Sequence, residues 1–405
     1  MPSSSIVRIV LALFWLPILA LVPPACADEP PATAVELLTA FSGQSAERFT
    51  PFFRFSEEAR ITGIEIHAVG NESTTAKYTG GEVPWREVNN ILRITTADGS
   101  EGVSGVDSYY QGPFSDEHLS ELLGVAADLV ALQSLDPVEV RRLLGETRPD
   151  LSDAVRASID IALWDLAAQK ANLPLYELLG ARRHSVDAYA SLPFYESLTE
   201  YVDAVNEYAE LGYTVFKFHV WGEIDKDLEL VERVQEAFAN TSYKFMVDLE
   251  SVYDLRDAIR LGRQMDEGLF IWFEAPIDDA RLADYSKLKS EVGVTIIPAG
   301  YTYYSAEYIR QGIDSGAWDA GRYDATVVGG ITDSLELLAI ANEARLPIEF
   351  QSWGHSLAQA ANLHLVLAND LTEYFEAPMP GDLFEFGMTN GRLTDHGLSL
   401  IHISE

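Results

Sequence analysis

The feature that most constrains this chain is an alternation in its second half. Between residues 186 and 376, β-rich runs at 186–191, 214–220, 244–250, 270–276, 294–300, 323–327, 347–352 and 372–376 alternate with helical stretches. Segments 225–238, 255–265 and 334–344 are the clearest amphipathic helices among them. A strand followed by a helix and a further strand implies parallel pairing, and eight such units close a (β/α) barrel. An open doubly wound sheet is the alternative, but no glycine-rich phosphate turn follows the first run. The expected fold class is therefore α/β, with a barrel over 184–376.

Residues 59–183 read differently. Segments 64–68 and 90–96 alternate as strands, and Asp98-Gly99 turns the second into 102–106, a hairpin signal. Helices follow over 115–180, the clearest at 152–171, which Pro174 ends. Strands followed by helices make this a smaller α+β domain. Residues 28–58 read as an extension with one short helix, and 377–405 as a segment that follows the barrel.

The N-terminus has the pattern of an export signal. Arg8 precedes an apolar run over 9–22, then come Pro23, Pro24 and Ala25-Cys26-Ala27 before Asp28-Glu29. A charged start, an apolar stretch and small residues predict cleavage after Ala27 and a periplasmic or secreted protein. An uncleaved anchor, or a lipoprotein at Cys26, are the alternatives. Cys26 is the only cysteine, so a chain cleaved there has no disulfide and no thiol chemistry. No later run is long and apolar enough to cross a membrane.

The net charge is −35, from 63 acidic and 28 basic residues. Such a surface repels nucleic acid and anionic lipid, which argues against both as partners. Its plain reading is solubility. It also makes any basic residue inside a cleft informative, because an anionic substrate needs local positive charge.

Barrel chemistry sits at the C-terminal ends of strands. Those ends carry Lys217 and His219, Asp248 and Glu250, Glu274, Tyr301, Asp324, Gln351 and Glu376. From Lys217 onward the spacings run 31, 26, 27, 23, 27 and 25 residues, about one strand-helix unit each. Period-two alternation puts Lys217 and His219 on one face, and Asp248 and Glu250 on another. Taken singly, each acid could be a helix cap or a loop residue; their common register is what points to a site. Asp248 and Glu274 are hard oxygen donors suited to Mg²⁺, which would hold a substrate carboxylate and stabilise an enediolate. Lys217 or His219 would remove the α-proton, with the pKa of the base lowered by its neighbour and the metal.

Three segments resemble one family. They are Ala157-Ser158-Ile159-Asp160-Ile161-Ala162-Leu163-Trp164-Asp165-Leu166 with the following Leu173–Gly180 stretch, then Phe273-Glu274-Ala275-Pro276, then Asp324 with Gly329-Gly330-Ile331-Thr332, Trp353-Gly354 and Ala361-Asn362-Leu363-His364-Leu365. Over about residues 60–378 the chain resembles the enolase superfamily in its mandelate racemase and muconate-lactonizing group. The resemblance implies a capping domain over 59–183, with loops near 77–85, Trp85 among them, closing on a small-molecule carboxylate, and 377–405 returning to that domain. It also implies Mg²⁺, α-proton abstraction and a barrel that often forms homo-oligomers. Departures are equally specific. The second strand reads Lys217-Phe218-His219 where Lys-x-Lys is common. Tyr301 stands where the third metal acid is usual. Gln351 stands where a histidine pairs with Asp324, with His355 four residues on as a possible substitute. Glu376 matches a position that hydrogen-bonds the enolate.

A racemase needs a base on each face of the carbon, and Gln351 cannot titrate. The expected reaction is therefore a one-base dehydration or isomerisation of a hydroxy or sugar acid. Three alternatives stand beside it: a racemase or epimerase, a metal-poor member that keeps His219, Tyr301 and Asp324 for other acid–base chemistry, and an exported binding protein for acid sugars. Tyr301, Gln351, His355 and Trp85 are the expected substrate contacts.

Overall fold

A computed structural model describes residues 6–12, 60–70, 74–85, 88–106, 116–131, 135–181, 183–266, 268–381 and 384. The smaller domain contributes strands β1 (Ile6–Ala12), β2 (Ile61–Gly70), β3 (Thr74–Tyr78), β4 (Gly81–Trp85), β5 (Val88–Thr96) and β6 (Glu101–Val106). Strands β1, β2, β5 and β6 form one antiparallel sheet in that order, and β3 and β4 a separate hairpin. The β5–β6 turn falls at Asp98-Gly99 as the sequence predicts, with Thr96 N–H donating to the Ser100 carbonyl at 2.9 Å. Strand β1, which overlaps the start of the apolar N-terminal run, pairs antiparallel with β2. The whole of the 28–58 extension and of 385–405 lies outside the described residues.

Helices α1 (Asp116–Ala131), α2 (Pro137–Thr147) and α3 (Asp153–Ala171) cover this sheet. Ile64, Leu92 and Ile94 are buried with Leu122 and Val125 of α1 and with Ile159 and Leu163 of α3. The opposite side of α3, Ala157, Ile161, Trp164 and Ala168, belongs to the barrel core. A helix buried on both sides needs small and apolar residues all round, which is the composition seen at 152–171. Ser152 caps its start through Val155 N–H, and Asn172 ends it in the left-handed conformation.

The α3 helix also ties the two domains together by polar contacts. The Asp160 carboxylate accepts from Thr332 N at 2.9 Å and from Thr332 Oγ1 at 2.5 Å, and Trp164 Nε1 donates to Thr332 Oγ1 at 2.9 Å. Gly330 makes this possible. Its φ is +113°, and a Cβ there would stand 2.4 Å from Asp160 Oδ2, so only glycine lets backbone and carboxylate approach this closely. The Gly329-Gly330-Ile331-Thr332 motif is thus a docking point for α3.

After the short helix α4 (Leu175–Leu178), the barrel runs β7 (Asp187–Leu192), α5 (Leu198–Glu210), β8 (Val215–His219), α6 (Ile224–Phe238), β9 (Lys244–Asp248), α7 (Leu255–Gly262), β10 (Phe270–Glu274) and α8 (Leu282–Glu291). It continues with β11 (Thr295–Ile297), α9 (Ala306–Ser315), β12 (Gly321–Tyr323), α10 (Ile331–Ala344), β13 (Ile348–Phe350), α11 (Ser356–Ala368) and β14 (Tyr374–Pro378). The eight strands from β7 to β14 are the eight units expected, and the pairings between them among the described residues are all parallel.

The ladder has two interruptions. Among the described residues, six strands form one sheet in the order β11-β10-β9-β8-β7-β14, and β12 and β13 form a separate pair. At the first seam Asp319 N donates to the Ile296 carbonyl at 2.9 Å and the Asp319 carboxylate accepts from Ile296 N at 2.9 Å. At the second, Ile348 N donates to the Leu371 carbonyl at 3.2 Å, and the buried Glu349 carboxylate accepts from Glu373 N at 3.0 Å. Side-chain acids thus satisfy backbone donors that strand pairing leaves over.

Alternation along the strands sorts the side chains. On β8, Phe216 and Phe218 join the core shared with the helices, while Val215 packs inward beside Tyr189, Met246, Trp272, Ile297 and Ala320. These apolar residues plug the barrel interior. Lys217 and His219, two and four residues on from Val215, stand above that plug.

One strand differs from expectation. The run at 323–327 looks β-rich, but β12 is Gly321–Tyr323. Asp324 instead turns the chain, its carboxylate accepting from Thr326 N at 2.7 Å and its carbonyl from Val327 N at 3.0 Å. The aspartate's competing local hydrogen bonds stop the strand. The shift brings Arg322 into the strand and moves Asp324 out of it.

Candidate active site

A small polar cavity at the C-terminal ends of the strands is lined by Lys217, His219, Asp248, Glu250, Tyr301, Gln351, Trp353 and Glu376. Its base is a cluster of acids and cations. Lys217 Nζ lies 2.7 Å from Glu376 Oε1, 3.0 Å from Glu274 Oε2 and 3.2 Å from Asp248 Oδ2. Arg322 Nε lies 2.7 Å from Glu274 Oε1, an ion-pair contact rather than an aligned hydrogen bond, and its Nη2 donates to Glu376 Oε2 at 2.9 Å. Ser191 Oγ and Ser352 N also donate to Glu376, at 2.8 and 2.9 Å. Lys217, Glu274, Arg322 and Glu376 are each no more than 1% exposed.

Electrostatics follow from that packing. Burial works to lower the Lys217 pKa, but Glu274 and Glu376 outweigh it and hold the ammonium well above its ordinary value. The expectation of a lowered Lys217 pKa is corrected: carboxylates on three sides favour its ammonium form. Burial likewise favours a protonated Glu376, yet Lys217 and Arg322 hold it down at about 2.

His219 is placed for proton transfer. Its Nδ1 is 2.7 Å from the Leu192 carbonyl, an acceptor only, so Nδ1 carries a proton. The other nitrogen, Nε2, lies 3.4 Å from Asp248 Oδ2 and 3.9 Å from Glu250 Oε1. Burial opposes the imidazolium, but the Asp248 carboxylate outweighs it and raises the ring's pKa above its ordinary value, which corrects the expected lowering for His219 as well. Trp353 stands edge-on to the imidazole with centroids 5.0 Å apart.

Backbone strain surrounds the site. Glu250, Ser251 and Ala275 have φ of +45°, +65° and +45°, a conformation costing non-glycine residues about 1–2 kcal/mol each. The crossed strand ends hold it: Leu249 N donates to the Glu274 carbonyl at 3.1 Å and Ser251 N to the Ala275 carbonyl at 2.7 Å. Strain maintained in this way is common at functional sites. The loop carrying Tyr301 is fixed by Asp279, whose carboxylate accepts from Ala299 N at 3.1 Å and Gly300 N at 3.3 Å. A Cβ on Gly300 would stand 2.1 Å from the Arg322 carbonyl, so this approach also requires glycine.

The β3–β4 turn reaches the rim. Thr79 Oγ1 donates to the Asp248 carbonyl at 2.7 Å and accepts from Val220 N at 3.2 Å, and Gly80 N donates to the Val220 carbonyl at 2.9 Å. Thr79 and Gly80 of the 77–85 segment therefore sit against the ends of β8 and β9. Trp85 ends β4, and its side chain is outside the described residues.

The structure thus brings together Lys217, His219, Asp248, Glu274, Tyr301, Gln351 and Glu376. It does not bring Asp324 or His355 to the cavity. Asp324 is held beneath by Thr326 and by Asn362 Nδ2 at 2.9 Å, and burial pushes its carboxyl up to about 6. His355 precedes α11 and faces Phe384, with centroids 6.3 Å apart.

Burial holds His355 neutral and lowers its pKa to about 4. A depressed histidine contributes stability above its unfolded value of ~6.5 and loses it as pH falls through the folded value. The contribution is on the order of 3 kcal/mol for a shift of this size. Urea unfolding of wild type and His355→Gln should therefore differ in pH slope between ~6.5 and ~4, with the variant flatter; parallel curves would show that His355 is not the titrating group.

Arg322 is the site residue that reasoning from the sequence missed. A signal existed: an arginine two residues before Asp324 in a chain with 63 acids. The misplaced sixth strand hid it.

The donor set does not fit a divalent ion. Mg²⁺ prefers octahedral oxygen donors. Here the oxygens of Glu274 and Glu376 are in contact with Lys217 and Arg322, and Asp248 Oδ2 with Lys217 and His219. The third position is Tyr301, whose phenol burial pushes further above its ordinary value. Among the described residues no group of three His, Cys, Asp or Glu side chains is arranged to hold a metal.

Residues 200–400 match the family model described as enolase C-terminal domain-like, and residues 86–180 match the mandelate racemase/muconate lactonizing enzyme N-terminal domain. A solved structure of a putative mandelate racemase/muconate lactonizing enzyme from Pseudovibrio sp. is 32% identical, with a TM-score of 0.76, covering 81% of this chain and 88% of that one. The L-talarate/galactarate dehydratase of Salmonella typhimurium is 29% identical over 311 residues, 74% of this chain and 75% of that protein. The dipeptide epimerase of Enterococcus faecalis, solved with Mg and a dipeptide, is 21% identical with a TM-score of 0.69, covering 78% of this chain and 89% of that one; it shows the shared fold. Matched relatives range over acid-sugar dehydratases, a cycloisomerase and racemases or epimerases. The chain therefore belongs to the enolase superfamily, in its mandelate racemase/muconate lactonizing enzyme group.

Proposed function

We propose that this protein is an enzyme that moves the proton on the carbon next to a carboxylate, with His219 as the single proton carrier and a hydroxy or sugar acid as substrate. The observation that carries the reading is the orientation of His219: Nδ1 fixed on the Leu192 carbonyl, Nε2 toward a polar cavity at the strand ends. Neutral His219 takes the α-proton at Nε2, and Asp248 stabilises the imidazolium that results. The charge left on the substrate carboxylate meets the Tyr301 hydroxyl in the cavity wall. A protonated phenol in a buried site is an effective donor to developing negative charge. His219 then returns its proton, either to a leaving hydroxyl, which gives dehydration, or to carbon, which gives isomerisation. Gln351 cannot carry a proton, which argues against a two-base racemisation.

The reading is tested by incubating the protein with a panel of aldonic and aldaric acids in D₂O, following α-proton exchange by NMR and product formation. Exchange at the α-carbon of at least one acid is expected. No exchange across the panel, combined with saturable binding of one of the acids, would favour an acid-sugar binding protein instead.

A further inference from the structure

We propose that Lys217 and Arg322 are built-in counter-cations that occupy the place of a divalent ion, so that this member of the superfamily binds no metal at its centre. The geometry is a closed box. Glu274 faces Arg322 with one oxygen and Lys217 with the other, at 2.7 and 3.0 Å. Glu376 does the same in the opposite sense, with Lys217 at 2.7 Å and Arg322 at 2.9 Å. Two carboxylates and two cations thus bridge each other on both edges. Asp248 is drawn into the same box through Lys217 at 3.2 Å, and its other oxygen accepts from Glu250 N at 3.1 Å.

Arg322 is fully buried on β12, and its backbone is fixed by pairing of Gly321–Tyr323 with Ile348–Phe350. Its carbonyl lies where Gly300 approaches most closely. The guanidinium is therefore delivered to Glu274 by the strand itself, not by a mobile side chain on a loop. A guanidinium keeps its charge at any physiological pH and is less strongly hydrated than an ammonium, which suits it to a buried ion pair. An ion arriving at Asp248 and Glu274 would have to displace both cations, leaving them buried and unpaired, a costly exchange. Position 301 supplies a phenol and no third carboxylate to offset that cost.

The inference does not depend on the proposed reaction, because its readouts are binding and stability rather than turnover. Full-length wild type, Tyr301→Glu and Tyr301→Glu/Arg322→Gln proteins are each titrated with Mn²⁺ by EPR, assayed for bound metal after dialysis, and unfolded thermally with and without EDTA. Wild type and Tyr301→Glu are expected to take up no stoichiometric Mn²⁺ and to keep the same Tm in EDTA. The double variant, which removes the arginine and supplies a third acid at position 301, is expected to bind about one Mn²⁺ per chain and to gain Tm with it. One Mn²⁺ per wild-type chain with a Tm that falls in EDTA overturns the proposal. Equal Mn²⁺ binding by Tyr301→Glu and the double variant also overturns it, because Arg322 would then exclude nothing.

Discussion

Replacing His219 with asparagine should lower α-proton exchange by about 10²–10⁴-fold, the usual contribution of a positioned general base. Asparagine keeps a polar side chain beside Leu192 but cannot accept and hold a proton. The fold should survive, because the change leaves Lys217, Asp248, Glu274, Arg322 and Glu376 in place. The pH profile provides the second readout. The base must be neutral, and Asp248 raises the His219 pKa above its ordinary value. Wild-type kcat/KM should accordingly climb with pH through a value above ~6.5 and level off beyond it. That limb should vanish in His219→Asn. Exchange at the wild-type rate in the variant, or an unchanged limb, would remove His219 from the mechanism.

The largest stability effect is expected from Glu376→Leu. The carboxylate stands between Lys217 and Arg322, accepts further bonds from Ser191 Oγ and Ser352 N, and is completely buried. Leucine fills comparable volume, so little is lost in packing. Two buried cations, however, lose a shared counter-charge, and removal of one partner from a buried ion pair costs about 3–5 kcal/mol. Chemical denaturation of the two proteins side by side would measure it. A difference below about 1 kcal/mol, the range of exposed ion pairs, would mean that the box tolerates water or reorganises.

Much of this was legible in the sequence, for reasons tied to particular residues. The eight units were readable because β8, β9 and β10 are short apolar runs followed by amphipathic helices. The hairpin at Asp98-Gly99 was readable because that dipeptide suits one tight turn. Lys217, His219, Asp248, Glu274 and Glu376 were found because each stands at or near a strand end, and strand ends converge in a barrel. Asp324 was misread for a local reason: its side chain bonds Thr326 two residues on, which ends β12 early. The same two-residue displacement concealed Arg322. His355 stands four residues after Gln351 in the sequence, but the chain enters α11 there and points the ring at Phe384. The direction of the Lys217 shift depended on how many acids surround its ammonium, a tertiary quantity that no spacing encodes.

The two seams in the ladder give the barrel an uneven mechanical character. Around most of its circumference, strands hold each other by repeated backbone bonds. The β12–β13 pair is instead joined to its neighbours by a few bonds, two of them to the carboxylates of Asp319 and Glu349. Sub-global opening in a protein follows the boundaries with fewest buried backbone bonds. The barrel is then better pictured as a six-stranded shell with a two-stranded leaf hinged into it. Arg322 rides on that leaf, and its ion pairs with Glu274 on β10 and Glu376 on β14 reach across both joints. The cluster beneath the cavity is therefore also the latch that keeps the leaf shut.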